Sequence, residues 1–144
     1  DRVVVHAKDE KVGLGAYRWT GEGVELAWKV PKLTRRADAS PLVKDGQVYL
    51  FGADMRACHD LETGNKRWKE IGKHDISSPI LAGGHILAYE IKGSFLHMTK
   101  ADPTRAVTLG RAKLQALRCS SPVIAGDKLI VRMADRLACY YLGK

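Results

Sequence analysis

The side chains of this sequence that could do chemistry are its histidines, its cysteines and the serines of three Ser-Pro steps. The five histidines are His6, His59, His74, His85 and His97. A structural zinc site takes four convergent Cys or His ligands, usually in closely spaced pairs, and the histidines here show no such spacing. The serines would need a neighbouring base and an orienting acid to act as nucleophiles, and no recognisable base accompanies them. The sequence therefore predicts no catalytic residue and no metal site.

The Ser-Pro steps belong to a short phrase that recurs along the chain. Its copies are Ala39-Ser40-Pro41, Ser77-Ser78-Pro79 and Ser120-Ser121-Pro122. They stand about forty residues apart, a period typical of propeller blades that contain four short strands. Because an active site occurs once whereas these serines repeat, the repetition indicates a structural use for them. The repeat predicts an all-β fold, a partial β-propeller of four-stranded antiparallel blades.

The unit that begins at Pro41 shows the predicted strand order best. After a first short strand, the Asp45-Gly46 pair suits a tight hairpin. The returning strand, 47–51, is rich in β-branched and aromatic residues, which favour extended structure. Two further strands are predicted on either side of a turn at 61–65, and the last of them ends with Trp68. The unit thus reads as an antiparallel meander.

Extended to the whole chain, the pattern predicts blade segments 1–30, 39–70, 77–109 and 120–144, with three, four, four and three strands. In the third segment, Pro103 is expected at the place of the turn glycine and Val107 at the place of the closing tryptophan. About three and a half blades are fewer than the four to eight that close a ring. We therefore expect a C-terminal fragment of a larger propeller, completed by further blades of the parent chain or by a second copy.

Composition limits the possible partners. The formal net charge of +8 favours anionic partners and says nothing about the fold. No apolar stretch approaches about 18 residues, so no transmembrane segment is predicted. Nucleic-acid binding is not predicted, because Trp28 and Trp68 close repeat units and do not form a stacking platform. Cys58 and Cys139 lie in matching contexts, which predicts that each fills a small buried slot.

Placing the charged residues on the predicted meander brings basic side chains together at one end of the blades. At this end the last strand of each blade leads into the next blade, and basic residues outnumber acidic ones about twofold. The residues expected nearest the centre are Lys32, Arg35, Arg36, Arg111, Lys113 and Arg118. This pattern predicts a surface for an acidic protein or an anionic polymer. An ordinary solvated rim is the alternative, since surface charge alone selects no ligand.

The stretch from Cys58 to Trp68 resembles the tryptophan-docking motif of the quinoprotein-like β-propellers, which are built from PQQ-like repeats. Asp60, Gly64 and Trp68 stand at the spacing of that motif, and the stretch that ends at Trp28 is a looser match. The resemblance implies that each docking tryptophan lies against the glycine-bearing turn of the adjacent blade. Its indole N–H would then donate to a main-chain carbonyl, and Trp28 is expected to pack near Gly64.

The family resembled includes proteins with different functions. Some are dehydrogenases that hold pyrroloquinoline quinone and calcium, and these share an adjacent cysteine pair, which this sequence lacks. Others bind no cofactor, such as the lipoprotein scaffold of the bacterial outer-membrane assembly machinery. The resemblance therefore implies a non-catalytic binding scaffold, with no cofactor or metal in this segment and a periplasmic or secreted location. The alternative is a fragment of a pyrroloquinoline-quinone-dependent alcohol or sugar dehydrogenase.

Overall fold

The computed structural model describes residues 1–9, 11–33, 39–52, 54–72, 77–118 and 120–143. In these ranges every regular element is a β-strand, and no helix occurs. The strands are β1 (Arg2–His6), β2 (Leu14–Trp19), β3 (Val24–Val30), β4 (Leu42–Lys44), β5 (Gln47–Phe51), β6 (Met55–Asp60), β7 (Lys66–Ile71), β8 (Ile80–Ala82), β9 (His85–Glu90), β10 (Phe95–Lys100), β11 (Val107–Lys113), β12 (Val123–Ala125), β13 (Lys128–Arg132) and β14 (Leu137–Tyr141).

These strands form four antiparallel sheets in which neighbours in sequence are neighbours in space. We call them blade 1 (β1–β3), blade 2 (β4–β7), blade 3 (β8–β11) and blade 4 (β12–β14). The predicted all-β architecture of a partial β-propeller is confirmed, because the sheets are meanders of three or four strands and the series does not close. Strand β11 runs on to Lys113, beyond the predicted end of the third segment at 109.

The meander gives the blades two distinct ends. At the hairpin end lie the tight turns between the first two strands of blades 2, 3 and 4. The opposite end, which we call the loop end, carries the connections from one blade to the next. The predicted hairpin at Asp45 and Gly46 has positive φ at both residues, 47° and 71°, as a type I′ turn requires. That turn fixes the pairing of Lys44 with Gln47.

The core consists of three separate clusters, each formed by the facing sides of two neighbouring blades. Between blades 1 and 2, Leu14 packs with Val48 and Leu50, all fully buried. Between blades 2 and 3, Tyr49 and Trp68 pack with a cluster that includes buried residues of β9. Between blades 3 and 4 the buried residues belong mainly to β9, to β13 and to the segment after β11. Burial of apolar side chains between stacked sheets therefore joins the blades.

Two blade faces have no neighbouring blade among the described residues. The face of blade 1 that points away from blade 2 carries exposed apolar side chains on all three strands, namely Val3, Val5, Trp19, Val24 and Leu26. The corresponding face of blade 4 carries exposed Val123, Leu137 and Tyr141. The interiors of sandwiched blades are apolar on both faces. Each terminal blade thus has a face suited to pack against another sheet.

The prediction for Cys139 is wrong, and the open face of blade 4 is the reason. Cys58 and Cys139 occupy the same register position, opposite Tyr49 and Ile130 respectively. Cys58 points toward blade 3 and is buried, as predicted, whereas Cys139 points to the open side of blade 4 and is exposed. A side chain at this register position is therefore buried where a neighbouring blade packs against that face and exposed where none does.

Candidate functional site: blade junctions and the basic loop end

Trp28 joins blade 1 to the turn that follows β6 in blade 2. Its Nε1–H donates a hydrogen bond to the carbonyl of Leu61 at 2.8 Å. A Cβ placed on Gly64 would come within 2.6 Å of the indole atoms Cδ2 and Cε3. An indole packed between two blades needs an acceptor for its single N–H group, and this carbonyl supplies it. The structure thus places Trp28 beside Gly64, the two residues expected to meet.

The turn against which Trp28 lies is held by Asp60. One carboxylate oxygen accepts from the backbone N–H groups of Glu62 and Thr63, at 3.0 and 2.9 Å, and from the Thr63 hydroxyl at 2.9 Å. The other oxygen accepts from Arg67 at 2.7 Å. The Thr63 backbone N–H and the Arg67 guanidinium, followed by the Thr63 hydroxyl, lower the pKa of Asp60 to about 2.

His59 fixes the same turn from the buried side. Its Nδ1 lies 2.9 Å from the Gly64 carbonyl, to which it donates. Burial lowers the pKa of His59, which favours the neutral ring. The contact requires a proton on Nδ1, because a carbonyl oxygen can only accept. His59 therefore holds the turn that Trp28 contacts.

Trp68 makes the corresponding contact from blade 2 to blade 3. Its Nε1–H donates to the carbonyl of Asp102 at 2.9 Å, and its ring packs beside Tyr49 with centroids 6.4 Å apart. The side chain of Asp102 accepts from the Thr104 hydroxyl and backbone N–H at 2.6 and 2.9 Å. These contacts lower the pKa of Asp102 to about 2. Asp102 thus holds its turn as Asp60 does, a similarity not predicted from the sequence.

The expectation that Val107 occupies the position of the closing tryptophan is wrong. In blade 2, Trp68 lies opposite Cys58, next to a register shift after that residue. In blade 3 the equivalent shift follows Met98, and the residue opposite Met98 is Gly110. Val107 pairs instead with Lys100, because the connection between β10 and β11 is longer than its counterpart in blade 2. The third junction therefore has glycine at the docking position.

A buried polar cluster also connects blades 2 and 3. Arg56 is 1% exposed, and its guanidinium lies 3.5 Å from the Glu90 carboxylate and 3.1 Å from Nε2 of His97. It also lies over the ring of Phe51, 5.4 Å from the centroid. A second arginine, Arg111, reaches Glu90 from the solvent side at 3.2 Å. The cluster satisfies a buried charge, which would be costly without partners.

The basic residues predicted to bind an anionic partner do not share one environment. Lys32, Lys113 and Arg118 are exposed at the loop end, and within the described ranges none of them forms an ion pair. Arg111 differs, because it is bound to Glu90 and lies 4.0 Å from the centre of the Phe95 ring. The remaining two, Arg35 and Arg36, lie outside the described residues.

The part of the chain that the structure describes contains no group of three or more His, Cys, Asp or Glu side chains that could hold a metal ion. None of its segments is a helix long and apolar enough to cross a membrane.

The fold defines the chain as a partial β-propeller with tryptophan-mediated blade junctions. No protein-family model matches the sequence, and a search of the curated proteins found no match. Among solved structures, BamB from Moraxella catarrhalis superposes with a TM-score of 0.65 at 18% sequence identity. The match covers 99% of this chain and 42% of BamB. The resemblance to PQQ-like propellers drawn from the sequence is confirmed at the level of the fold.

Proposed function

We propose that this chain is part of a non-catalytic β-propeller scaffold whose loop end binds an acidic protein or an anionic polymer. The observation that carries the proposal is the set of exposed, unpaired basic side chains Lys32, Lys113 and Arg118 at the described part of that end. Rigid stacked sheets hold their connecting loops in fixed positions, and loops on such a framework commonly carry binding residues. A locally positive surface attracts anionic partners and speeds their encounter.

The open blade faces support a second feature of the proposed scaffold, a neighbouring sheet. The exposed apolar side chains of blades 1 and 4 form faces of the kind that blades elsewhere in this molecule bury. We infer that these faces pack against further blades of a parent chain or against a second copy. A periplasmic or secreted location is inferred from the resemblance to quinoprotein-like propellers, whose relatives are commonly exported.

The binding proposal is tested by titrating heparin, a polyanion, into the protein at increasing salt. The test variant combines Lys32→Glu, Lys113→Glu and Arg118→Glu. A control with the same change in net charge combines Arg18→Glu, Lys66→Glu and Arg105→Glu, all exposed and nearer the hairpin end. The loop-end variant is expected to bind at least about tenfold more weakly, equivalent to about 1.4 kcal/mol. The control is expected to retain most of the affinity.

Salt dependence separates electrostatic binding from other contacts, because exposed charges are screened over about 10 Å at 0.1 M salt. The affinity of the parent protein should therefore fall as salt rises. Absence of salt-dependent binding by the parent would overturn the proposal. An equal loss in the two triple variants would also overturn it, since the effect would then follow net charge and not the loop end.

A further inference from the structure

The junction between blades 3 and 4 lacks the indole that the other two junctions contain. Gly110 stands where Trp68 stands in blade 2, opposite Met98 on the face directed toward blade 4. A Cβ placed on Gly110 would meet no atom within 4 Å. On the other side of Met98 in the same sheet, Leu87 takes the place of the larger Tyr49. The junction between blades 3 and 4 therefore lacks the counterparts of two aromatic rings, those of Trp68 and Tyr49, that lie between blades 2 and 3.

A cavity of about 850 Å³ lies at this place, partly open to solvent. Its wall on blade 3 includes Leu87, Leu96, Met98 and Gly110, and its wall on blade 4 includes Ile124 and Leu142. The volume is within the range of about 300–1,000 Å³ that is usual for ligand sites, which are mostly apolar with a few polar groups. The polar groups here are His85, Arg111 and Asp127.

Blade 4 presents the counterpart of the carbonyl that receives the Trp28 indole. Leu61 donates its backbone N–H to the Gly46 carbonyl of the adjacent hairpin at 2.9 Å. Leu142 donates in the same way to the carbonyl of Asp127, at 2.9 Å. Leu142 therefore corresponds to Leu61, the residue whose carbonyl accepts from Trp28. Leu142 and the next residue, Gly143, both line the cavity.

We propose that the cavity between blades 3 and 4 is a recognition site for one indole ring, supplied as the tryptophan side chain of a partner peptide. The molecule itself packs an indole at the corresponding position of its two other junctions, with the N–H group on a carbonyl of the next blade. Tryptophan is among the residues most enriched as an anchor in protein interfaces. The Asp127 side chain, 55% exposed, lies at the cavity for contact with flanking peptide groups.

The site is tested on the whole chain by nuclear magnetic resonance with methyl labels on Met98 and Leu87. The probe is a blocked pentapeptide of glycine with tryptophan at its centre, and the control peptide has alanine there. The tryptophan peptide is expected to shift both methyl signals in a saturable way, and the alanine peptide is not. Equal shifts with both peptides, or none with either, would overturn the proposal. If free indole bound as tightly as the tryptophan peptide, the inference that a peptide supplies the ring would be overturned.

A variant that fills the cavity gives an independent check. Gly110→Trp places an indole at the proposed site and should weaken binding of the tryptophan peptide at least about tenfold. Gly23→Trp is the matched control, because Gly23 also has open space at its Cβ position and lies in blade 1. Gly110→Leu serves if the larger side chain prevents folding. Unchanged peptide binding in the folded cavity variant would overturn the assignment. The heparin experiment addresses the loop end, so the two proposals fail separately.

Discussion

The indole ring of Trp28 lies so close to Gly64 of the next blade that a Cβ there would come within 2.6 Å of it. Gly64 also has a φ of 74°, a left-handed conformation that costs other residues about 1–2 kcal/mol. Glycine is therefore required at this position for two separable reasons, conformation and space. The second reason links two blades, because the ring that occupies the space belongs to blade 1.

Replacing Gly64 with alanine should be more destabilising than the backbone conformation alone explains. Gly64→Ala is expected to lower the free energy of unfolding by the conformational cost of about 1–2 kcal/mol plus about 1–3 kcal/mol for overpacking against Trp28. Chemical denaturation measures the total decrease in the free energy of unfolding.

The matched control for that substitution is Gly46→Ala. Gly46 has almost the same φ, 71°, but no atom lies within 4 Å of its Cβ position. It should therefore show only the conformational cost of about 1–2 kcal/mol. Equal destabilisation of the two variants would contradict the close contact between Trp28 and the Gly64 turn.

Removal of the second docking side chain should destabilise the protein strongly. Trp68 is 9% exposed, packs with Tyr49 and donates its N–H to Asp102. Trp68→Ala is expected to cost about 3–5 kcal/mol, as for other buried aromatic residues. Trp19 is 57% exposed, so Trp19→Ala should change stability by no more than about 0.5 kcal/mol. A thermal melt of Trp68→Ala that is indistinguishable from that of the parent would contradict the assignment of Trp68 as a docking side chain.

Stability should decrease in acid because two turn aspartates are hydrogen-bonded as carboxylates. The pKa of Asp60 and that of Asp102 are each lowered from 3.8 to about 2. A group whose pKa is lower in the folded state stabilises the protein above its unfolded pKa, and this contribution is lost as pH falls through the folded pKa. The free energy of unfolding should therefore fall between about pH 4 and pH 2.

The contribution of one turn to this pH dependence can be isolated by substitution. Asp60→Asn should reduce the fall in stability between about pH 4 and pH 2, because one lowered pKa is removed. A slope in Asp60→Asn as steep as that of the parent would count against the hydrogen-bonded carboxylate.

The strand order and the turns follow from local sequence patterns. Asp45-Gly46 specifies a two-residue hairpin. The motif from Asp60 to Trp68 places Gly64 at the spacing that its contact with Trp28 requires. The buried position of Arg56 between two blades could not be predicted, because its partner His97 lies 41 residues away on another blade. The position of Gly110 depends on a register shift and on the length of a connection, which the repeat pattern does not specify.

The open face of blade 1 should cause the isolated 144-residue chain to associate. Val3 and Leu26 lie on either side of Tyr17 on that face and are both 51% exposed. Contiguous exposed apolar surface favours association. The double variant Val3→Lys, Leu26→Lys should shift sedimentation at micromolar concentration toward monomer. The control, Ile71→Lys with Leu109→Lys, changes exposed apolar residues of blades 2 and 3 and should not. A monomeric parent would contradict the prediction.

Hydrogen exchange of the three indole N–H groups tests the stacked-blade arrangement most directly. The N–H groups of Trp28 and Trp68 donate to carbonyls of the following blade at 2.8 and 2.9 Å, whereas Trp19 is largely exposed. Two indole signals should therefore exchange at least about tenfold more slowly than the third, since exchange requires the junction to open. Equal, rapid exchange of all three signals would contradict the arrangement.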